Sequence, residues 1–194
     1  MLGIFLDSET NGLNLRKHHI CELAYKIVNV ETGEVLEAFE TFVYIPYEEW
    51  KKSDPASLEV NGFTWDQLKK GMQPQKVAEE VKLSFKRCRI ERGKAVFICQ
   101  NPSFDRAFFT QLIDADVQEQ LNWPYHWLDL ASMYWTKCLN DKKTRPWETG
   151  VSKNNIAEAL GLPHEEDPHR AMNGVDHLLL CYEAVVGFPL CQKR

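Results

Sequence analysis

The sequence predicts an α/β fold in which a mixed central β-sheet is flanked by α-helices. Short apolar runs typical of strands occupy the first 45 residues, and helical patterns alternate with one buried strand after residue 74. The length of 194 residues lies in the range of one compact domain, and we find neither an internal repeat nor a linker. A single domain over residues 1–194 is therefore predicted.

The predicted strands begin with an apolar run over residues 2–6 and continue with segments 21–30 and 38–45, separated by a turn at Thr32-Gly33. Segment 46–72 contains several proline and glycine residues, which favour an irregular region with one short helix. A buried strand is predicted over 95–99. Helices are predicted from Pro74 to about Cys88, over 103–113, from 129 to 139, from Ser152 to Gly161 and over 168–186.

The composition limits the classes of function. A formal charge of −5 and a pI near 5.7 argue against a protein that wraps duplex DNA by neutralising many phosphates. An enzyme that grips a few nucleotides through bound metal remains compatible, because its own site is then acidic.

The six cysteines lack CxxC spacing, which predicts free thiols in a reducing cytosol and no structural zinc. No apolar stretch approaches the roughly 20 residues of a membrane span, so we expect a cytoplasmic protein without a membrane anchor.

Asp7 and Glu9 are the most informative residues of the first strand. Strand side chains alternate, so both carboxylates project from one face of an otherwise apolar element. Two adjacent like charges are costly unless a divalent cation lies between them, which predicts a metal site. The alternative is a strand end that emerges into solvent with two ordinary surface acids.

Two further positions complete the candidate site. Asp105 lies one turn into the helix that follows the strand 95–99, where its carboxylate can point over the end of the sheet. It could instead only complement the positive helix N-terminus. His169 lies before the last helix, and a histidine there can accept a proton from water near neutral pH. A lone histidine is more often a surface or packing residue.

Taken in order, these segments resemble the motifs of the DEDDh family of 3′→5′ exonucleases, which includes the proofreading epsilon subunit of bacterial DNA polymerase, ribonuclease T and oligoribonuclease. Residues 5–13, 101–105 and 169–171 carry the three motifs, and the resemblance covers nearly the whole chain. Lesser similarities lie at 60–64, 127–130 and 155–163.

The resemblance implies a ribonuclease-H-like fold and removal of nucleotides from the 3′ end of single-stranded DNA or RNA, with DNA slightly favoured. It implies that Asp7, Glu9 and Asp105 ligate two Mg²⁺ or Mn²⁺ ions and that His169 is the general base. It also implies an enzyme that is either free-standing or a DNA polymerase subunit.

Other residues are assigned to the substrate. Thr10, Leu13, Asn61 and Phe104 are predicted to bind it, with Leu13 and Phe104 as wedges against terminal bases, although both could equally belong to the core. Two basic clusters could steer the nucleic acid, or could be ordinary solvated faces. They are Lys82, Lys86, Arg87, Arg89 and Arg92, and then Lys137, Lys142, Lys143 and Arg145 beside Tyr134, Trp135 and Trp147.

One departure from the family pattern concerns the fourth metal-binding aspartate, usually five residues after the histidine. Gly174 occupies that position, and Asp176 should face away from it because two helical residues rotate by roughly 200°. We therefore predict one weakly held metal, with low activity or a need for high manganese, and higher turnover in Gly174→Asp. The alternatives are a binding protein or polymerase accessory that has lost catalysis, and an unrelated α/β domain with coincidental acids.

Overall fold

The computed structural model describes residues 1–141 and 145–190. Its sheet has five strands: β1 Leu2–Thr10, β2 Ile20–Asn29, β3 Val35–Phe42, β4 Ala95–Cys99 and β5 Trp127–Asp129. Their spatial order is β3-β2-β1-β4-β5. The pairs β1/β2 and β2/β3 are antiparallel, whereas β1/β4 and β4/β5 are parallel. The predicted mixed sheet is therefore confirmed.

Helices cover both faces of this sheet. Apolar side chains alternate along β1, so Ile4 and Leu6 enter one core and Phe5 enters the other. The first core contains Val77, Val81 and Phe85 of α4 (Pro74–Arg87) and residues of α5 (Pro102–Phe109); the second is closed by the last helix, α10 (Ala171–Val185). The helices among the described residues are α1 Tyr47–Trp50, α2 Pro55–Asn61, α3 Trp65–Leu68, α4 Pro74–Arg87, α5 Pro102–Phe109, α6 Ala115–Gln120, α7 Leu130–Asp141, α8 Pro146–Thr149, α9 Lys153–Ala159 and α10 Ala171–Val185.

Several predicted boundaries need correction. Segment 46–72 contains three short helices instead of one, because Asp54 and Thr64 each cap a new helix after a turn. The third strand lies at Val35–Phe42, three residues earlier than predicted. Helix α5 ends at Phe109 instead of residue 113, and α10 begins at Ala171, after a cis peptide bond between Asp167 and Pro168.

Other local predictions are met. Ser152 caps α9 by accepting a hydrogen bond from the Asn155 backbone, and Gly161 follows this helix with a φ of 70°. Five cysteines are free thiols, and the sixth, Cys191, lies outside the described residues. None of the helices within the described ranges is long and apolar enough to cross a membrane.

Candidate active site

The candidate site lies at one edge of the sheet, where β1 and β4 end. Because these neighbouring strands are parallel, their carboxyl ends meet at the same edge, and β2, which is antiparallel to β1, begins there. Asp7 and Glu9 lie near the end of β1, and Asp105 lies in the first turn of α5, just beyond β4. Such an edge, where strand direction changes, is a common place for ligands in α/β proteins.

Asp105 is held against the end of β1 through the residue between the two acids. Its Oδ1 accepts a hydrogen bond of 2.7 Å from the Ser8 hydroxyl, and its side chain is buried, with the residue 3% exposed. Ser8 points to the opposite face from Asp7 and Glu9 because strand side chains alternate. The three acids therefore meet at one edge of the sheet, Asp7 and Glu9 from one face and Asp105 from the other.

Asp7 has a cationic partner that lies far away in the sequence. The Lys153 ammonium, at the start of α9, lies 3.3 Å from Asp7 Oδ1 and 3.0 Å from Glu165 Oε2. The side chains of Lys153, Asp7 and Glu165 are 13%, 14% and 2% exposed. Within this charged group, the Gly174 backbone carbonyl also accepts a hydrogen bond from Lys153 at 3.5 Å.

Burial of this acidic group disfavours its charged forms. Burial raises the pKa of Glu9 to about 8, and the neighbouring Asp7 carboxylate adds to this increase. Burial also raises the pKa of Asp7 in spite of the nearby Lys153, and raises that of Asp105 well above its usual range, with Asp7 as the next cause. Asp7 and Glu165 outweigh the opposing effect of burial on Lys153 and raise its pKa, so Lys153 stays charged.

The donor chemistry of the three acids fits a hard divalent cation, because carboxylate oxygens are its preferred ligands and nearby positive charge would relieve their repulsion. The Glu9 carboxylate makes no hydrogen bond or ion pair with any described residue. However, within residues 1–141 and 145–190 no three His, Cys, Asp or Glu side chains are grouped to hold a metal. Ser8 holds Asp105 and Lys153 holds Asp7, so these side chains must turn before they can share an ion.

His169 lies in the loop that leads into α10. Its side chain is 31% exposed, and its Nε2 lies 3.7 Å from Asp167 Oδ1. The electrostatic effect of His169 lowers the pKa of Asp7, whereas the larger effect of burial raises it. The helix that follows is anchored to the sheet, because the buried Glu22 carboxylate of β2 accepts a 2.9 Å hydrogen bond from the Ala171 backbone. His169 and the three acids therefore lie at the same end of the molecule.

Gly174 faces Asp7, as the family pattern requires of its fourth ligand position, but the space beside it is filled. A Cβ atom at position 174 would clash with Asp7 Oδ2 and would lie 2.9 Å from the Lys153 ammonium. The ends of these two side chains therefore fill the space that a side chain at position 174 would occupy. This crowding also revises the simple expectation for Gly174→Asp, since a new side chain must first displace Asp7.

Asp176 lies on a different face of α10. It forms an ion pair with Lys26 of β2, and its side chain is 53% exposed. This arrangement agrees with the expectation that Asp176 faces away from position 174. It leaves the fourth ligand position without a carboxylate of its own.

The four residues assigned to the substrate occupy different environments. Leu13 is 74% exposed beside the end of β1, whereas Phe104 is partly buried with its ring 4.8 Å from that of Phe108. Asn61 is 1% exposed; its amide donates to the Thr10 carbonyl and its oxygen accepts from the Phe63 backbone. The Thr10 hydroxyl donates to the Gly12 carbonyl. In this conformation both side chains support the loop after β1, and their assignment to the substrate stays a prediction.

The basic clusters are partly used in ion pairs. Arg87 pairs with Glu37 and Arg92 with Glu119, while Lys137 and Arg145 pair with Asp141 and Glu148. Lys142 and Lys143 lie outside the described residues. Trp135 and Trp147 are 40% and 57% exposed, and their ring centroids lie 5.7 Å apart.

Sequence reasoning missed Lys153 and Glu165. One signal was available for Lys153, because a cation in the first turn of a helix opposes the helix dipole and needs a partner elsewhere. Glu165 belongs to the acidic run 165–167, which is typical of a solvated loop, and nothing in the pattern marks its burial.

Comparison with known proteins agrees with this geometry. Residues 4–176 match the RNase_T family, described as Exonuclease. No curated protein shows significant sequence similarity to the chain. Escherichia coli exonuclease I in complex with a dT13 oligonucleotide is similar in structure, with a TM-score of 0.75 and 15% identity over 95% of this chain and 40% of that one. The chain thus spans well under half of exonuclease I.

Two further solved structures show the same fold. A zinc-bound form of the E. coli exonuclease I complex with single-stranded DNA has a TM-score of 0.73 and 17% identity, over 95% of this chain and 40% of that chain. The nuclease domain of 3′hExo, a DEDDh family member bound to rAMP, has a TM-score of 0.70 and 16% identity, over 100% of this chain and 96% of that chain. These likenesses confirm the ribonuclease-H-like fold.

Proposed function

Because this chain belongs to the exonuclease family that residues 4–176 match, and is therefore a nuclease, we propose that it removes nucleotides one at a time from the 3′ end of single-stranded nucleic acid, with DNA slightly favoured over RNA. One observation carries the proposal. Asp7, Glu9 and Asp105 come from separate parts of the chain to the edge where two parallel strands end, and their pKa values are all raised.

In this proposal Asp7, Glu9 and Asp105 hold Mg²⁺ or Mn²⁺. Such an ion supplies positive charge to the scissile phosphate and acidifies water. The His169 imidazole accepts the proton of the attacking water at a ring nitrogen, and its exposure leaves it free to turn towards the acids. Glu22 positions this histidine through its hydrogen bond to Ala171 at the start of α10.

The preference for a single strand is supported by exposed apolar groups. Leu13 is exposed and follows Glu9 by four residues, and in this proposal it presses on the terminal base. Trp135 and Trp147 form an exposed pair on α7 and α8, and base stacking on such rings tolerates any sequence. The proposed partner is therefore a free 3′ end; docking on a DNA polymerase is a further possibility of the same proposal.

A second candidate is a protein of the same fold that binds nucleic acid without cutting it. Its support is the Lys153 ammonium beside Gly174, where the family pattern has a metal-binding aspartate. A binder retards an oligonucleotide in a native gel and leaves its length unchanged.

The test compares 5′-labelled DNA and RNA oligonucleotides of one sequence, each with Mg²⁺, Mn²⁺ or chelator. We expect metal-dependent shortening from the 3′ end and its loss in Asp105→Asn. Asp176→Asn is the matched control, because Asp176 is an acid of α10 that pairs with Lys26 away from the site. Absence of shortening by the wild type with either metal, or full activity of Asp105→Asn, would refute the proposal.

A further inference from the structure

The position of Lys153 is unusual for a lysine. It is the first residue of α9, where its charge opposes the helix dipole, and its side chain is only 13% exposed. A buried ammonium at such a place must be held by anions from other parts of the chain. Two carboxylates do this, Asp7 from β1 and Glu165 from the loop before α10.

Glu165 is itself fixed in place. Its backbone donates a 2.8 Å hydrogen bond to the Asn154 side chain, and its Oε2 lies 3.9 Å from His177 Nδ1 of α10. Burial lowers the pKa of His177, which favours its neutral form, so Lys153 is the cation that neutralises Glu165. The lysine and the glutamate therefore form a buried ion pair beside Asp7.

Gly174 completes the arrangement. A Cβ at position 174 would lie 2.9 Å from the ammonium, so the charge of Lys153 stands where a side chain at this position would begin. The Asp7 carboxylate leans into the same space. One carboxylate oxygen of Asp7 is thus paired with a fixed cation, and a divalent ion brought to that side of Asp7 would meet a like charge.

We propose that the Lys153 ammonium is a built-in cation that takes the place of one divalent ion, so that the site binds a single metal. The inference rests on the proposed metal-dependent nuclease function. Lys153 is a positioning residue here, because it acts through Asp7. A side chain at position 174 would have to displace this pair.

The test is the number of Mn²⁺ ions bound per chain, measured by titration calorimetry and by electron paramagnetic resonance with MnCl₂ alone. We expect one ion in the wild type. The double variant Lys153→Met/Glu165→Gln removes the buried cation together with its second anion, which protects folding, and it should bind two. Lys153→Arg keeps the positive charge and should bind one.

Lys26→Met is the matched control, because Lys26 also pairs with an acid of α10 but lies away from the site. It should bind one ion. Two ions in the wild type, or the same number in the wild type and the double variant, would overturn the proposal. A failure of the nuclease function itself is seen separately, as oligonucleotides that the wild type leaves uncut.

Discussion

Glu9 makes the stability of the metal-free protein depend on pH in an unusual direction. Its pKa rises from 4.5 to about 8 on folding, first because of burial and then because of Asp7. Between these two values the unfolded chain has released the proton and the folded chain retains it. Folding therefore takes up a proton, and stability falls as the pH rises through this window. Above about 8 the loss is complete.

The size of the effect follows from the same values. Moving the pKa from 4.5 to about 8 corresponds to roughly 5 kcal/mol of unfolding free energy. Glu9 is partly exposed, so screening by solvent reduces the expected loss to about 2 to 3 kcal/mol. Asp7 and Asp105 change in the same direction, because burial raises their pKa values as well.

Urea denaturation in the presence of a chelator, at about pH 5 and about pH 8.5, measures this loss. Glu9→Gln cannot ionise, so its stability should fall less than that of the wild type between the two conditions. Glu59→Gln, at an exposed position of α2, serves as the control and should behave like the wild type. Added Mn²⁺ should restore stability to the wild type at the higher pH. Equal losses in the wild type and Glu9→Gln would refute the reasoning.

Three further substitutions test other parts of the structure. Alanine in place of a helical glycine usually stabilises by up to about 1 kcal/mol. Gly174→Ala should instead destabilise by about 1 to 2 kcal/mol, because its Cβ would push the Asp7 carboxylate away from Lys153; a stabilised variant in thermal denaturation contradicts this. Trp147→Ala removes one ring of the pair with Trp135. It should weaken binding of a labelled single strand by about 1 to 3 kcal/mol in anisotropy titrations, and unchanged binding would exclude stacking on this pair. Asn61→Ala should cost about 1 to 3 kcal/mol of stability, because two internal hydrogen bonds are lost. Thermal denaturation measures this loss; an unchanged melting temperature would mean that Asn61 does not support the loop.

The predictions for regular elements succeeded where local physics decides the structure. The strand 95–99 and the Ser152 cap follow from short-range rules, namely an apolar run and a side chain that accepts a backbone hydrogen bond. The segment 46–72 was harder to predict, because α1, α2 and α3 are each only one or two turns long. The third strand was misplaced because register depends on the partner strand β2.

By itself the sequence determined the fold class, the family resemblance and the absence of a carboxylate at Gly174, because these depend on residue types and their order along the chain. Only the tertiary structure revealed Lys153 and Glu165 beside Asp7, since these residues come from α9 and a distant loop. Side-chain alternation puts Asp7 and Glu9 on one face, but what neutralises them depends on which helix packs over that face. No local pattern contains that information, because long-range packing brings the charges together.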